Sequence, residues 1–208
     1  MTDAFEYDFE IENNEQNKEP EKRSFSFKKE LFEWLEIVIS AVIILVILFS
    51  FFFKVVTISG RSMQNTLFDG EKVIISNIGY TPTKGDIVVI SRNANNLANQ
   101  DDANTPIIKR VIATEGQVVD IDFSSGSVFV DGVMLEERYT KTLTTLRGDI
   151  EFPVVVPEGC VFVLGDNRND SRDSRNSSIG EQGMIDTRHI LGKALFRIFP
   201  LDGFGGLY

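Results

Sequence analysis

The chain has 208 residues, a formal net charge of −10 and a single cysteine. The charge excludes nucleic acid as a partner, since phosphate binding needs basic surface to displace counterions. One cysteine excludes an intrachain disulfide, and no Cys/His cluster has the spacing of a metal site.

Residues 1–30 are polar, acidic up to Glu21 and then basic at Lys22, Arg23, Lys28 and Lys29. With little to bury, they read as a disordered, solvated tail. From Trp34 to Phe53 the chain is almost wholly apolar. Twenty residues at ~1.5 Å each cover the ~30 Å of a bilayer's hydrocarbon, with Trp34 suited to the boundary. A cleaved signal sequence fits less well, because its apolar core runs only ~7–15 residues and ends in a small-residue cleavage site. Lys22, Arg23, Lys28 and Lys29 precede the span, and Lys54 and Arg61 follow it. The positive-inside rule then places the N-terminus in the cytoplasm and the main domain outside. The expected division is a tail over 1–33, a transmembrane helix over 34–53 and an extracytoplasmic domain over 54–208.

Beyond the span, β signals dominate. Lys54–Ile58, Glu71–Ser76, Asp86–Ser91, Ile107–Thr114, Val118–Asp122, Ser127–Val130, Val133–Glu136, Phe152–Val156, Val161–Leu164 and Ile190–Pro200 are short and mostly rich in β-branched residues. Gly, Pro, Asp and Asn punctuate them. Asp131-Gly132 between two apolar runs is a hairpin signal. Asn93–Asn104 reads as a polar loop, and Ser171–Gln182 as a loop or short helix. The expected fold is a single, mainly β domain. The apolar tail from Phe199 to Tyr208 either touches the membrane surface or packs on that domain.

Ser62 lies in a Gly-containing turn about nine residues beyond Phe53. An extended chain of that length reaches at most ~30 Å, so this serine is expected near the bilayer. A serine nucleophile needs a base. The one histidine, His189, sits at the entry to a strand, and Gln64 replaces the second Gly of an α/β-hydrolase elbow. The other base available is lysine. In the strand from Ile107, alternation puts Lys109 on one face with Ile107, Val111 and Ala113, and Arg110 on the other. A lysine amine on an apolar face is either desolvated, with its pKa lowered, or snorkels to water. Cys160 reads as a small buried hydrophobe. The stretch from Gly165 to Arg175 packs acids, bases and hydroxyls into one loop after a strand. A Ca²⁺ loop is the alternative there, but Arg168 occupies a ligand position and the Gly and terminal Glu of an EF-hand are missing.

Four stretches together resemble the bacterial type I signal peptidases, membrane-anchored Ser/Lys endopeptidases that remove signal peptides from exported proteins. They are Gly60-Arg61-Ser62-Met63-Gln64-Asn65-Thr66-Leu67, Lys84-Gly85-Asp86-Ile87-Val88, the run from Lys109 to Gly116, and the run from Gly165 to Arg175. The resemblance covers all but about the first 30 residues and is closest to the shorter members. It implies a coiled-sheet, barrel-like catalytic domain at the cell membrane and no cofactor. Its partners would be the lipid bilayer and signal peptides bound extended, with small residues at the first and third positions before the cut. It implies Ser62 as nucleophile and Lys109 as general base. Ser171 would orient the lysine amine, Asp173 and Arg175 would brace the loop, and Asp166 and Arg168 would be structural. The Ser62 backbone N–H would donate to the oxyanion. Three positions depart from the pattern or leave it incomplete: Asn65 where proline is usual, Gln117 where Asp is common, and Gly60 where some members carry a second oxyanion hydroxyl. A self-cleaving Ser/Lys protease and a non-enzymatic anchored β module are the alternatives to this reading.

Overall fold

The structure is a computed structural model that describes residues 27–91 and 106–207. The tail up to residue 26 and the predicted polar loop at Asn93–Asn104 lie outside the described residues. The chain divides into two compact units, residues 1–46 and 47–208. Helix α1 runs Phe27–Phe52, starting seven residues before the expected Trp34, with Glu30 in its first turn. That acid suits the positive end of the helix dipole, and the flanking Lys, Leu and Phe carry no helix breaker. The helix is long and apolar enough to cross a membrane. None of its residues is buried within the protein.

Among the described residues all further regular structure is β, apart from three short 3₁₀ turns. The larger sheet contains β1 (Phe53–Thr57), β2 (Lys72–Ser76), β3 (Ile87–Ile90), β4 (Ile107–Thr114), β9 (Cys160–Leu164), β10 (Ile185–Asp186) and β11 (Ile190–Phe199). Their order across it is β1-β2-β11-β3-β4-β9-β10, and β12 (Gly205–Gly206) pairs with β11. The smaller sheet orders β7 (Val133–Met134), β6 (Ser127–Val130), β5 (Val118–Asp122) and β8 (Val154–Val155). Every pairing is antiparallel. Register shifts in β11 and at Val111/Ala113 of β4 curl the larger sheet, as bulges do.

The mainly β expectation therefore holds. Two strands escaped the sequence pattern: β10 and β12 have two residues each, too short for alternation to register. The C-terminal segment packs on the domain through β12 and the Leu207 N–H, which donates to Leu195 O at 3.1 Å. Phe199, Leu201 and Phe204 stay exposed. Ser171–Gln182 forms turns and no helix. At the β6–β7 hairpin Asp131 and Gly132 both have positive φ, 54° and 76°, as a two-residue primed turn requires.

Alternation assigns the core. In β5 the pattern is strictly in–out, one face packed and one wet. The central strands are buried on both faces. Ile87 and Val89 of β3 join Met63 and Leu67 in one cluster, while Val88 and Ile90 join Val111 and Val163 in another. Between the two sheets, Ile112, Phe162 and Val119 build the third. Strand β4 is buried along its six interior residues. Both of its cations are therefore buried, and the alternation that set Arg110 on a face apart from Lys109 did not leave it in water. Arg110 is 1% exposed and Lys109 4%.

Candidate active site

The turn after β1 is built to hold Ser62 still. Gly60 has φ +89°, the left-handed region that a side chain resists. Its N–H donates to Asp69 Oδ1 at 2.8 Å. After the serine, the N–H groups of Thr66 and Leu67 both donate to Met63 O, at 2.9 and 2.8 Å. Met63 and Leu67 are fully buried in the core beside Ile108. Asn65 is exposed in this turn, so backbone bonds and two core anchors close it without a proline.

Lys109 reaches this turn from β4. Its Nζ lies 2.9 Å from Ser62 Oγ and 3.0 Å from the Ile108 carbonyl, to both of which it donates. His189 stands on the 3₁₀ turn before β11, and β3 separates β11 from β4. Cys160 lies at the start of β9, and burial, then Asp186 and Glu181, push its thiol pKa up. That opposes the thiolate a nucleophile needs.

The loop after β9 passes directly behind the serine. A Cβ on Gly165 would fall 2.5 Å from the Ser62 carbonyl, so only glycine fits there. Asp166 follows, at 0% exposure. Its Oδ1 accepts from Arg110 Nε at 2.9 Å and its Oδ2 from Arg110 Nη2 at 2.7 Å. Thr66 Oγ1 donates to the same Oδ2 at 2.5 Å. Arg110 also donates to the Gly85 carbonyl at 2.8 Å and lies 4.0 Å over the Tyr139 ring. Both oxygens of Asp166 are thus held by protein donors, and Asp170 pairs with Arg61 at 3.2 Å. These carboxylates do not converge as a Ca²⁺ loop requires.

Asp173 and Arg175 brace the other end of the loop. Arg175 Nε and Nη2 bond the two Asp173 oxygens at 2.8 and 2.9 Å, and Asp173 Oδ2 also accepts from Gly165 N–H at 3.1 Å. Arg168 is 1% exposed and makes a two-pronged pair with Glu137. It also donates to Thr144 Oγ1 at 2.6 Å and Gly165 O at 3.1 Å. Ser171 lies on the same loop, close to Gly165. Its buried Oγ has no hydrogen-bond partner among the described residues and rests against Gly165.

Three contributors carry no sequence signal of their own: Tyr139, Glu137 and Thr144, all from an irregular segment packed on the loop, while Thr66 stood in the first motif without a role. That segment also sends Lys141 Nζ to Gln64 Oε1 at 2.7 Å, beside the Ser62 turn. Asn167 was present in the motif but given no role. Its N–H donates to Ser62 O at 2.9 Å and its Nδ2 to Arg61 O at 3.1 Å.

Residues 31–199 match the family model described as signal peptidase, peptidase S26. The chain is 33% identical to signal peptidase I of Bacillus licheniformis over 193 residues, covering 88% of this chain and 96% of the relative. It is 36% identical to signal peptidase IB of Staphylococcus aureus over 195 residues, covering 85% and 94%. A crystal structure of a signal peptidase I from Enterococcus faecalis is 25% identical, with TM-score 0.40, over 55% of this chain and 97% of that one.

Proposed function

The chain belongs to the signal peptidase family, peptidase S26, and on that premise we propose that Ser62 is its nucleophile and Lys109 its general base. It is a serine endopeptidase that cleaves signal peptides from preproteins. One observation carries the dyad: Lys109 Nζ and Ser62 Oγ are 2.9 Å apart, within proton-transfer reach. At that separation the contact serves a proton moving either way. Taking the ammonium out of water disfavours its charged form, which supports a neutral amine as the base.

In the reaction, Lys109 takes the hydroxyl proton as Ser62 Oγ bonds the carbonyl carbon before the cut. The carbonyl electrons move onto oxygen, where the Ser62 N–H donates to them. The tetrahedral species collapses, the C–N bond breaks, and protonated Lys109 gives its proton to the departing amine. Water then adds to the acyl-enzyme by the same route and frees Ser62. No cofactor takes part in this scheme.

The substrate binds extended, by strand addition. Support for this comes from the start of β4: its pairing with β9 begins at Arg110, so Ile107 and Ile108 have no β9 partner among the described residues. The site residues Asp166, Arg168, Asp173 and Arg175 act as a frame. Ser171 is the buried hydroxyl nearest that frame's glycine.

We read α1 as a single membrane anchor. Its exposed apolar side chains, Trp34 and Ile43 among them, would be costly in water over so long a helix. The lysines and Arg23 before the span favour a cytoplasmic tail and an extracytoplasmic catalytic domain at the cell membrane. The test is cleavage of one preprotein by detergent-solubilised protein, with the new N-terminus sequenced. Ser62→Ala is expected to be folded and inert. A folded Ser62→Ala that still cuts at the normal rate overturns the assignment.

A further inference from the structure

Two successive peptide units meet at Ser62, and one residue outside the dyad bonds both, the first through its side chain and the second through its backbone. The first unit joins the Arg61 carbonyl to the Ser62 N–H. The second joins the Ser62 carbonyl to the Met63 N–H. In a planar trans peptide the C=O and N–H point in opposite directions. Whatever holds the Arg61 carbonyl therefore also sets where the Ser62 N–H points.

Asn167 holds it. Its Nδ2 donates to Arg61 O at 3.1 Å, and its backbone N–H donates to Ser62 O at 2.9 Å. The Gln64 N–H adds a longer bond to Arg61 O, 3.2 Å. Among the described residues the Ser62 N–H donates to no protein acceptor. It is left facing away from Asn167 with its hydrogen-bonding capacity intact. We propose that Asn167 is a positioning residue for catalysis: its carboxamide fixes the Arg61–Ser62 peptide and so aims the Ser62 N–H at the developing oxyanion.

The surroundings make Asn167 a rigid clamp. It is 4% exposed. Asp166 before it is locked by Arg110, and its own carbonyl accepts from Asp170 N–H at 2.9 Å. Gly165 allows the loop to approach the Ser62 carbonyl closely enough for these bonds to form. The residue type also matters. A backbone carbonyl only accepts, so the group facing it must donate, which an amide NH₂ does and a carboxylate cannot. A hydrogen bond accepted at the carbonyl further polarises the peptide and strengthens its N–H as a donor. Asn167 touches no reacting atom; it acts through the Arg61–Ser62 peptide.

This inference rests on the Ser62 reading above, and the experiment separates the two. Full-length Asn167→Asp and Asn167→Ala proteins are compared with wild type in detergent, using one signal-peptide substrate. Two ligands are then measured. One is a peptide aldehyde, to which Ser62 Oγ adds while its proton leaves to Lys109, placing an oxyanion at the site. The other is the uncleaved peptide, bound to each variant in a Ser62→Ala background. The expected result is a fall in kcat of about 10- to 100-fold, smaller than or comparable to loss of a direct oxyanion donor. KM changes less than about threefold, aldehyde affinity falls in step with kcat, and peptide affinity in the Ser62→Ala background stays constant. Should Asn167→Asp fail to fold, Asn167→Ser carries the same comparison. A kcat within about twofold of wild type overturns the proposal, and so does an equal weakening of aldehyde and peptide, which is what a purely structural brace gives. If Ser62→Ala itself retains turnover, the nucleophile assignment fails instead.

Discussion

Arg110 and Asp166 are joined by two parallel hydrogen bonds, 2.9 and 2.7 Å, with side-chain exposures of 1% and 0%. The pair ties the strand of Lys109 to the loop behind Ser62, since Lys109 precedes Arg110 and Thr66 Oγ1 shares the Asp166 carboxylate. Neither charge touches the reacting atoms. Their registration of β4 against the Ser62 turn keeps Lys109 Nζ within reach of Ser62 Oγ.

Removing one partner leaves a buried charge without its counter-ion. Asp166→Ala is expected to cost about 3–5 kcal/mol of stability, as is Arg110→Ala. The double change Arg110→Met with Asp166→Leu should recover much of that loss, because the cost lies mainly in the orphaned charge. Denaturant unfolding of the three variants checks this. A double variant as unstable as the sum of the singles contradicts it.

Gly165→Ala should be more damaging to activity than to stability. The added methyl meets the Ser62 carbonyl at 2.5 Å and presses on Ser171. A displacement of about 1 Å in a reacting group can cost 10²-fold in rate. Activity is expected to fall at least about 10-fold in a protein that still unfolds cooperatively. Full activity in Gly165→Ala would show that the loop does not press on the nucleophile turn.

Acid sensitivity has a specific source away from the dyad. Burial alone would raise the Asp86 carboxyl, but hydrogen bonds from Lys193, Tyr80 and Thr83 outweigh it and hold the pKa below the ordinary value. A carboxylate with a depressed folded pKa contributes stability that is present above its unfolded value, ~3.9, and is lost as pH falls through the folded one. Wild type should therefore lose stability below about pH 4 more steeply than Asp86→Asn, which is less stable at pH 7 but flatter in acid. Parallel acid slopes for the two would remove Asp86 from the account.

The pH dependence of cleavage tests the state of the base. Only the neutral amine accepts the Ser62 proton, so kcat/KM is expected to fall toward acid by about tenfold per pH unit once Lys109 is protonated. A flat profile between pH 5 and 9 contradicts a base that takes up its proton within that range.

Strand positions were legible because alternation and turn residues are local. Ile107–Thr114 and Val118–Asp122 appear at the bounds read from sequence. The depth of burial was not legible. Alternation gave Lys109 an apolar face and Arg110 the opposite one, but it does not report that β3 and β9 flank the strand and that cores cover both sides. Arg110 is buried because Asp166, 56 residues later, supplies its counter-charge. The irregular segment with Glu137 and Tyr139 had no periodicity to read, and its role depends on non-local contacts such as those with Arg168 and Arg110. Gln117 shows the same limit. Its amide accepts from Thr114 N–H at 3.0 Å and donates to Asp131 at 2.8 Å, bridging the turn to the hairpin, a contact no local pattern reports.

The central claim is that Lys109 activates Ser62, and the most direct measurement is the cleavage rate of Lys109→Ala on one preprotein in detergent, beside a thermal or denaturant unfolding curve of the same sample. The account predicts a folded protein that produces no mature chain at any pH from 5 to 9. Cleavage by folded Lys109→Ala at the wild-type rate and at the same bond would contradict it.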